Sequence, residues 1–261
     1  YHDESIDLVS TFPQPKEDQL ATYYESEDYI SHTDGSRSLF EKAYQFVKQI
    51  ALKNKLKCIN ELHQSKGILL DIGAGTGDFL AVANQNGWQT IGIEPNDKAK
   101  KIAQNKGVEL IEATSLLTDH SIDVITMWHV LEHVPNVENQ IKELKRLLKP
   151  NGSIIIAVPN FNAYDAKYYD SYWAAFDVPR HLWHFSKKAI KALFERENFH
   201  LEKTLPMLFD AFYVALLSEK YKTGNMNFIK ATFIGMKSNW KAKSTGEYSS
   251  LIYILKNNQV N

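Results

Sequence analysis

The residue types able to do chemistry gather in three stretches of this chain. In Leu69–Leu80, LLDIGAGTGDFL, the acid Asp71 precedes glycines at every second position, Gly73, Gly75 and Gly77. Such glycines supply φ > 0 and let a ligand approach bare backbone. The helix that opens after them has N–H groups with no internal partner. A carboxylate at this turn suits a ligand with an ammonium group and repels a pyrophosphate. Glu94 ends the next apolar run, where an acid can accept from both hydroxyls of a ribose. The second stretch is WHVLEHVPN, Trp128–Asn136. His129, Glu132 and His133 stand at i, i+3 and i+4, so one helical turn would show all three on one face. Imidazoles titrate near neutrality and suit proton removal, and the same spacing suits a metal ion. The third stretch is DVPRHLWHF, Asp177–Phe185. Arg180 either pairs with Asp177 to pin a loop or holds an anionic substrate group. His181 and His184 either face a pocket or pack among Trp173, Trp183 and Phe185.

The elements that position these residues follow from periodicity and punctuation. Ile68–Leu70 is a short apolar run bounded by glycine and reads as a buried strand. Phe79–Asn86 is the helix behind the turn, closed by Gly87. Thr90–Asn96 is a second strand, Asp97–Asn105 a polar helix, and Val108–Ile111 a short third strand. Ile122–Met127 is a fourth strand leading into the His129 stretch. Val137–Leu148 is a helix stopped by Lys149-Pro150-Asn151-Gly152, read as a turn. Ser153–Val158 is a fifth, fully buried strand. Upstream, Ser38–Leu62 is an amphipathic helix. Downstream, Asn160–Phe185 is irregular and aromatic. A helix at Lys187–Glu197 capped by Ser186, a strand at His200–Leu205, helices at Phe209–Tyr221 and Asn227–Trp240 and a strand at Tyr248–Leu255 complete the reading.

The pattern from Asp71 resembles the first motif of the class I S-adenosylmethionine-dependent methyltransferases. The likeness strengthens at Asp123–Pro135, DVITMWHVLEHVP, followed by LKPNGSIIIAVP at Leu148–Pro159, which is very close to that family's fourth and fifth strands. It covers about Lys66–Pro159 continuously. The tail Pro179-Arg180-His181-Leu182, with His184-Phe185-Ser186, is similar to a bacterial subgroup of broad substrate range. Members of that subgroup often carry an N-terminal zinc ribbon, whose cysteines residues 1–22 lack.

The resemblance implies an α/β, Rossmann-like, seven-stranded and mostly parallel sheet with helices on both faces. Its last strand is antiparallel, with a helical insertion before it. It implies S-adenosyl-L-methionine as cofactor, at Asp71, Gly73, Ala74, Gly75, Glu94, Pro95, Ser115, Leu116 and His129. A small-molecule acceptor would receive the methyl group, with oxygen favoured by the histidines. His133, His181 and Arg180 are the catalytic candidates. No metal is assigned: some relatives with a glutamate where His129 stands bind a divalent ion there, and many with the same Glu-His pair use none. Residues 1–38 form an N-terminal arm whose Tyr23, Tyr24, Tyr29 and His32 act as a lid or an anchor. Residues 39–261 form the methyltransferase domain, with the 160–185 loop and the 209–247 insertion covering the acceptor.

Composition sets the outer bounds. A net charge of −1 gives no general grip on nucleic acid. The single cysteine, Cys58, allows no internal disulfide and no closed cysteine zinc site, which fits a reducing, cytoplasmic setting. No apolar run is long enough to span a bilayer, and no signal peptide is visible. The apolar helices at 209–221 and 227–240 also suit a homodimer surface or a lipid-facing lid. Two rivals stand beside the methyltransferase reading. An NAD-dependent enzyme needs Gly or Ala where Asp78 stands. A non-catalytic module would keep the cofactor pocket and have lost transfer.

Overall fold

The computed structural model describes residues 1–16, 19, 23 and 39–257, with side chains in the first long helix from residue 45 onward. Of the tyrosine lid, Tyr24, Tyr29 and His32 lie outside the described residues. The chain forms two compact units, one of residues 1–15, 128–141 and 155–258, the other built on 16–127 and 142–154.

In chain order, β1 (His2–Asp3) and β2 (Leu8–Ser10) pair antiparallel at the start. Then come α1 (Leu39–Leu62), β3 (Ile68–Ile72), α2 (Asp78–Gln85), β4 (Gln89–Ile93), α3 (Asp97–Asn105) and β5 (Ile122–Trp128). Next are α4 (Val137–Leu147), β6 (Leu148–Pro159), α5 (Tyr164–Tyr169), β7 (Trp183–Phe185) and α6 (Lys187–Arg196). The chain ends with β8 (Phe199–Pro206), α7 (Asp210–Thr223), α8 (Phe228–Thr245) and β9 (Ser250–Asn257). The main sheet has the order β4-β3-β5-β6-β9-β8, and β1-β2-β7 form a small second sheet.

The fold is the expected α/β class, but the main sheet has six strands among the described residues, not seven. The missing strand is Val108–Ile111. There Leu110 makes one isolated parallel bridge to Gly92, held by Gly92 N–H to Glu109 and Ile111 N–H to Gly92, each 2.9 Å. Left-handed Gly107 (φ 77°) turns the chain just before this stretch, and the bridge covers the single residue Leu110. Lys149-Pro150-Asn151-Gly152 also departs from expectation, since it lies within β6. Lys149 ion-pairs with Asp123 at 2.7 Å, and a Cβ on Gly152 would sit 2.6 Å from the Leu148 side chain, so this corner is closely packed.

In the unit built on 16–127 and 142–154, β3 lies between β4 and β5, all parallel. Leu69 and Leu70 are fully buried, as a parallel strand covered on both faces requires. The register sets Asp71 beside Gly92 on one side and Thr126 on the other, which places the acid at the carboxyl end of the sheet. Ligands of open α/β sheets bind at that end.

In the other unit, β8 and β9 run antiparallel, so the last strand turns back as expected. The 160–185 stretch, read as irregular, contains α5, two 3-10 turns at Asp170–Tyr172 and Ala174–Phe176, and β7. Ala166, Tyr169, Trp173, Val214, Ala215 and Ile234 share one apolar core, which ties this stretch to α7 and α8. A buried carboxylate fixes it. Asp165 accepts from Trp173 Nε1 at 2.8 Å, Ser238 Oγ at 2.6 Å and Ser249 Oγ at 2.7 Å. Asp165→Ala leaves those three donors unpaired in the core. Each orphan costs about 1–3 kcal/mol, so urea unfolding is expected to show a loss of roughly 3 kcal/mol or more. A loss under about 1 kcal/mol would show that the network carries little stability.

Candidate functional site

The glycine turn is built within one unit. Asp71 is buried and accepts a short hydrogen bond from Thr126 Oγ1. Gly73 and Ala74 both donate to the Ile93 carbonyl, at 2.8 and 2.9 Å. Gly75 and Gly77 do different work. Gly75 has φ 53°, and an added Cβ would meet nothing within 4 Å, so its backbone borders open space. Gly77 has φ 76°, and an added Cβ would lie 2.8 Å from Ala103, so it lets α2 pack closely on α3. Glu94 is buried and accepts from Gly75 N–H at 2.8 Å and from Asn96 N–H at 2.8 Å. Asn96 in turn caps α3.

Electrostatics at this turn favour a cation. Burial pushes the Asp71 carboxyl up to about 7; Thr126 and Lys55 pull against the rise and Glu94 adds to it. Burial raises Glu94 as well, against the pull of the Asn96 and Gly75 N–H groups. A carboxylate has about four acceptor positions; Glu94 uses two on backbone, which leaves room for hydroxyl donors. This set of acceptors therefore fits a ligand with an amino group and a sugar diol. Asp78 stands at the third position of a dinucleotide fingerprint. It is held by Thr76 Oγ1 at 2.7 Å, Lys48 at 2.9 Å and Lys106 at 2.9 Å.

The second constellation lies in the other unit. His129 has φ 57° and stands just before the 3-10 turn Leu131–His133. The three residues therefore do not ride one regular helical turn. His129 Nε2 is 3.1 Å from Asp210, and its Nδ1 is 3.4 Å from Glu132. Burial opposes its charge, but the two carboxylates prevail and push His129 up to about 10. Glu132 is 1% exposed. Burial raises its carboxyl, yet His129, His133 and His181 outweigh that and hold it near 2.

The tautomers follow from backbone acceptors. His133 Nδ1 is 3.1 Å from the Arg180 carbonyl, and His181 Nδ1 is 2.9 Å from the Ala175 carbonyl. A carbonyl only accepts, so both Nδ1 atoms carry the proton and each lone pair falls to Nε2. Burial keeps His181 and His184 neutral, both pushed down to about 4. Glu132, His133 and His181 each offer a ligand atom, all within 4.8 Å of one another. Such a set could hold a divalent cation.

Known proteins bear on this geometry. Residues 40–204, well over half of the chain, match the family model described as a methyltransferase domain. The chain belongs to the class I S-adenosylmethionine-dependent methyltransferases. S-adenosylmethionine is the cofactor of that family. The methyltransferase is 31% identical over 104 residues to a ubiquinone biosynthesis O-methyltransferase of Nitrosospira multiformis, covering 36% of this chain and 44% of that protein. It is 31% identical over 125 residues to an uncharacterised protein of Methanocaldococcus jannaschii, covering 47% and 58%. The chain spans about half the length of the curated relatives it matches. Its fold is shared with magnesium protoporphyrin IX methyltransferase from Synechocystis, solved with bound S-adenosylhomocysteine. There the TM-score is 0.62 at 13% identity, over 93% of this chain and all of that one. A methyltransferase structure from Thermotoga maritima gives 0.58 at 20% identity, over 83% and 94%.

The structure groups this methyltransferase's sequence candidates into two sets. Asp71, Gly73, Ala74, Gly75, Glu94 and Pro95 form the glycine turn. Ser115 and Leu116 sit on a 3-10 turn, Thr114–Leu116, with Leu116 exposed. His133 and His181 meet around Glu132, their rings 4.5 Å apart, and His129 also pairs with Glu132. Arg180 pairs with Asp177 at 2.8 Å. Sequence reasoning missed Thr126, Asp210, Arg146 and Thr11. Arg146 holds the Thr114–Leu116 turn by donating to the Thr114 carbonyl at 3.1 Å, while pairing with Glu143 and Asp119. Thr11 donates to the His181 carbonyl at 2.7 Å and lies 3.2 Å from His184 Nε2, so the residue just after β2 braces the histidines. A threonine inside the apolar run of β5 was the one readable signal, and it marked Thr126.

Proposed function

We propose that this methyltransferase moves a methyl group from S-adenosylmethionine to an oxygen of a small-molecule acceptor. When bound, the cofactor supplies a methyl group made electrophilic by a sulfonium centre. Asp71 balances the charge of an amino group, and Glu94 accepts from ribose hydroxyls at the positions its backbone partners leave over. Gly73, Ala74, Gly75 and Pro95 shape the turn around them, and Ser115 and Leu116 flank the base. His133, with its lone pair on Nε2, removes the acceptor's proton, and anionic Glu132 stabilises the imidazolium that results. His181, neutral and buried, orients the acceptor. Arg180 acts through its pair with Asp177 to hold the loop that carries His181.

The observation that supports the oxygen reading best is the buried, anionic Glu132 facing His133 and His181. A hydroxyl acceptor must lose a proton, and this pair gives it somewhere to go. The O-methyltransferase named among the relatives agrees with this at low identity. The lone buried thiol, Cys58, accords with a cytoplasmic setting. Calorimetry is expected to show saturable binding of S-adenosylhomocysteine and none of NAD. Acceptors matched except for O or N at the reacting position then test the rest. Turnover of the hydroxyl compounds is expected, and turnover of amines alone would overturn the oxygen assignment.

A further inference from the structure

The helix α8 is apolar on two sides. Its inner side, Ala231, Ile234, Gly235, Ser238 and Ala242, is buried. Its outer side carries Ile229, Phe233, Met236 and Trp240, exposed by 87, 63, 60 and 68%. The steps of four, three and four residues put those four side chains in one stripe along the helix. Phe228 and Tyr221, both more than half exposed, extend the apolar surface around the α7–α8 connection. Scattered single apolar residues on a surface need no explanation, but a contiguous row of this size does.

The charges around the stripe say what covers it. From Ala211 to Gly246 the chain carries six lysines, at 220, 222, 230, 237, 241 and 243, and one acid, Glu219. Glu219 is buried and paired with Lys230 at 3.0 Å. Lys237 and Lys241 lie over the Tyr164 ring, at 5.1 and 4.3 Å from its centroid. Lys220, Lys222, Lys241 and Lys243 are exposed. A second copy docked on this face would set lysine against lysine with no acid between them. An anionic lipid surface meets both features, since headgroups take the lysines and the acyl boundary takes the apolar row. Long lysine side chains can lay their stems on apolar surface and keep the ammonium in water, and tryptophan favours the interface. Among the described residues no helix is long and apolar enough to cross a membrane, so the contact is of the kind that lies on a bilayer.

We propose that the outer face of α8 docks the protein on anionic bilayers, with Ile229, Phe233, Met236 and Trp240 entering the interface and the surrounding lysines on the headgroups. The inference goes beyond methyl transfer and does not depend on it. The test is flotation of the 261-residue chain with vesicles of phosphatidylcholine alone and of an equimolar mixture with phosphatidylglycerol. Binding to the anionic vesicles is expected to exceed that to neutral ones by roughly tenfold or more and to weaken in high salt. The double variant Ile229→Glu with Trp240→Glu is expected to lose binding by roughly tenfold or more. Its melting temperature and its affinity for S-adenosylhomocysteine should stay unchanged, since both residues are exposed and lie outside the glycine turn. Equal partition onto neutral and anionic vesicles, or none onto either, would overturn the proposal. So would a dimer in light scattering that the double variant splits, which would make a second copy the occupant.

Discussion

Asp71→Asn will make the free protein more stable and its cofactor site weaker. The reason lies in the burial of this carboxyl, whose folded value is about 7 against an ordinary 3.8. Between those values the unfolded chain has already released the proton and the folded chain still holds it. Folded protein thus binds more protons, and stability falls as pH rises from about 4 through about 7. Above that range the wild type carries the full penalty, and each tenfold difference in proton affinity between the two states is worth about 1.4 kcal/mol. Asparagine cannot ionise and keeps an oxygen for Thr126. Allowing for its unpaired amide, a gain of roughly 1–3 kcal/mol is expected near pH 8. The variant also loses the anion that an ammonium group needs. A charge-assisted hydrogen bond is worth about 1.5–3 kcal/mol, so S-adenosylhomocysteine should bind roughly 10–100-fold more weakly. The wild-type affinity should fall about tenfold per pH unit below about 7, because the ligand must displace a proton, and the variant's should be flat. Calorimetric melting and titration across that range check both halves. A variant that melts lower and binds as tightly would show that Asp71 is structural and does not face the ligand.

How much of this was legible beforehand depended on whether the signal was local. The glycine turn was readable because strand, turn and helix start lie within a dozen residues and each has its own chemistry. Glu94 was readable because one strand-helix-strand unit fixes its distance along the chain. The third strand is overread from sequence, because a short stretch with three apolar residues looks alike whether it makes a ladder or a single bridge to Gly92. The histidine stretch was read with the wrong local geometry. Periodicity suggested one helical turn, and His129 instead takes a left-handed conformation ahead of a 3-10 turn. Contacts between residues far apart in sequence were out of reach. Asp210 meets His129 from α7, Thr11 reaches His184 from the N-terminus, and Asp165 gathers Trp173, Ser238 and Ser249. Nothing in the residue types around Asp165 distinguishes a core acceptor from a surface acid. The aromatic loop was read as irregular because its helices are short and are held by that buried network rather than by their own periodicity.

Glu132→Gln is expected to lower kcat by about 10²–10³-fold with little change in affinity for S-adenosylhomocysteine. The carboxyl is held near 2 and His129 near 10, so both stay charged through the working range and neither sets a limb of the pH profile. Glutamine keeps the shape and removes the anion that steadies the imidazolium formed on His133, so kcat falls. A merely structural role would lower the yield of folded protein and leave kcat of the folded fraction unchanged. His133→Ala should cost a similar factor, and the double variant should be no worse than either single change, since residues that act as a unit do not add. The same carboxyl also supports the fold. Its depressed value contributes stability above about 4.5 that is lost as pH falls toward 2, so the variant's unfolding should be less sensitive to acid than the wild type's. Full kcat in the glutamine variant would sink the proton-transfer role and turn attention to the same trio as ligands for a divalent cation.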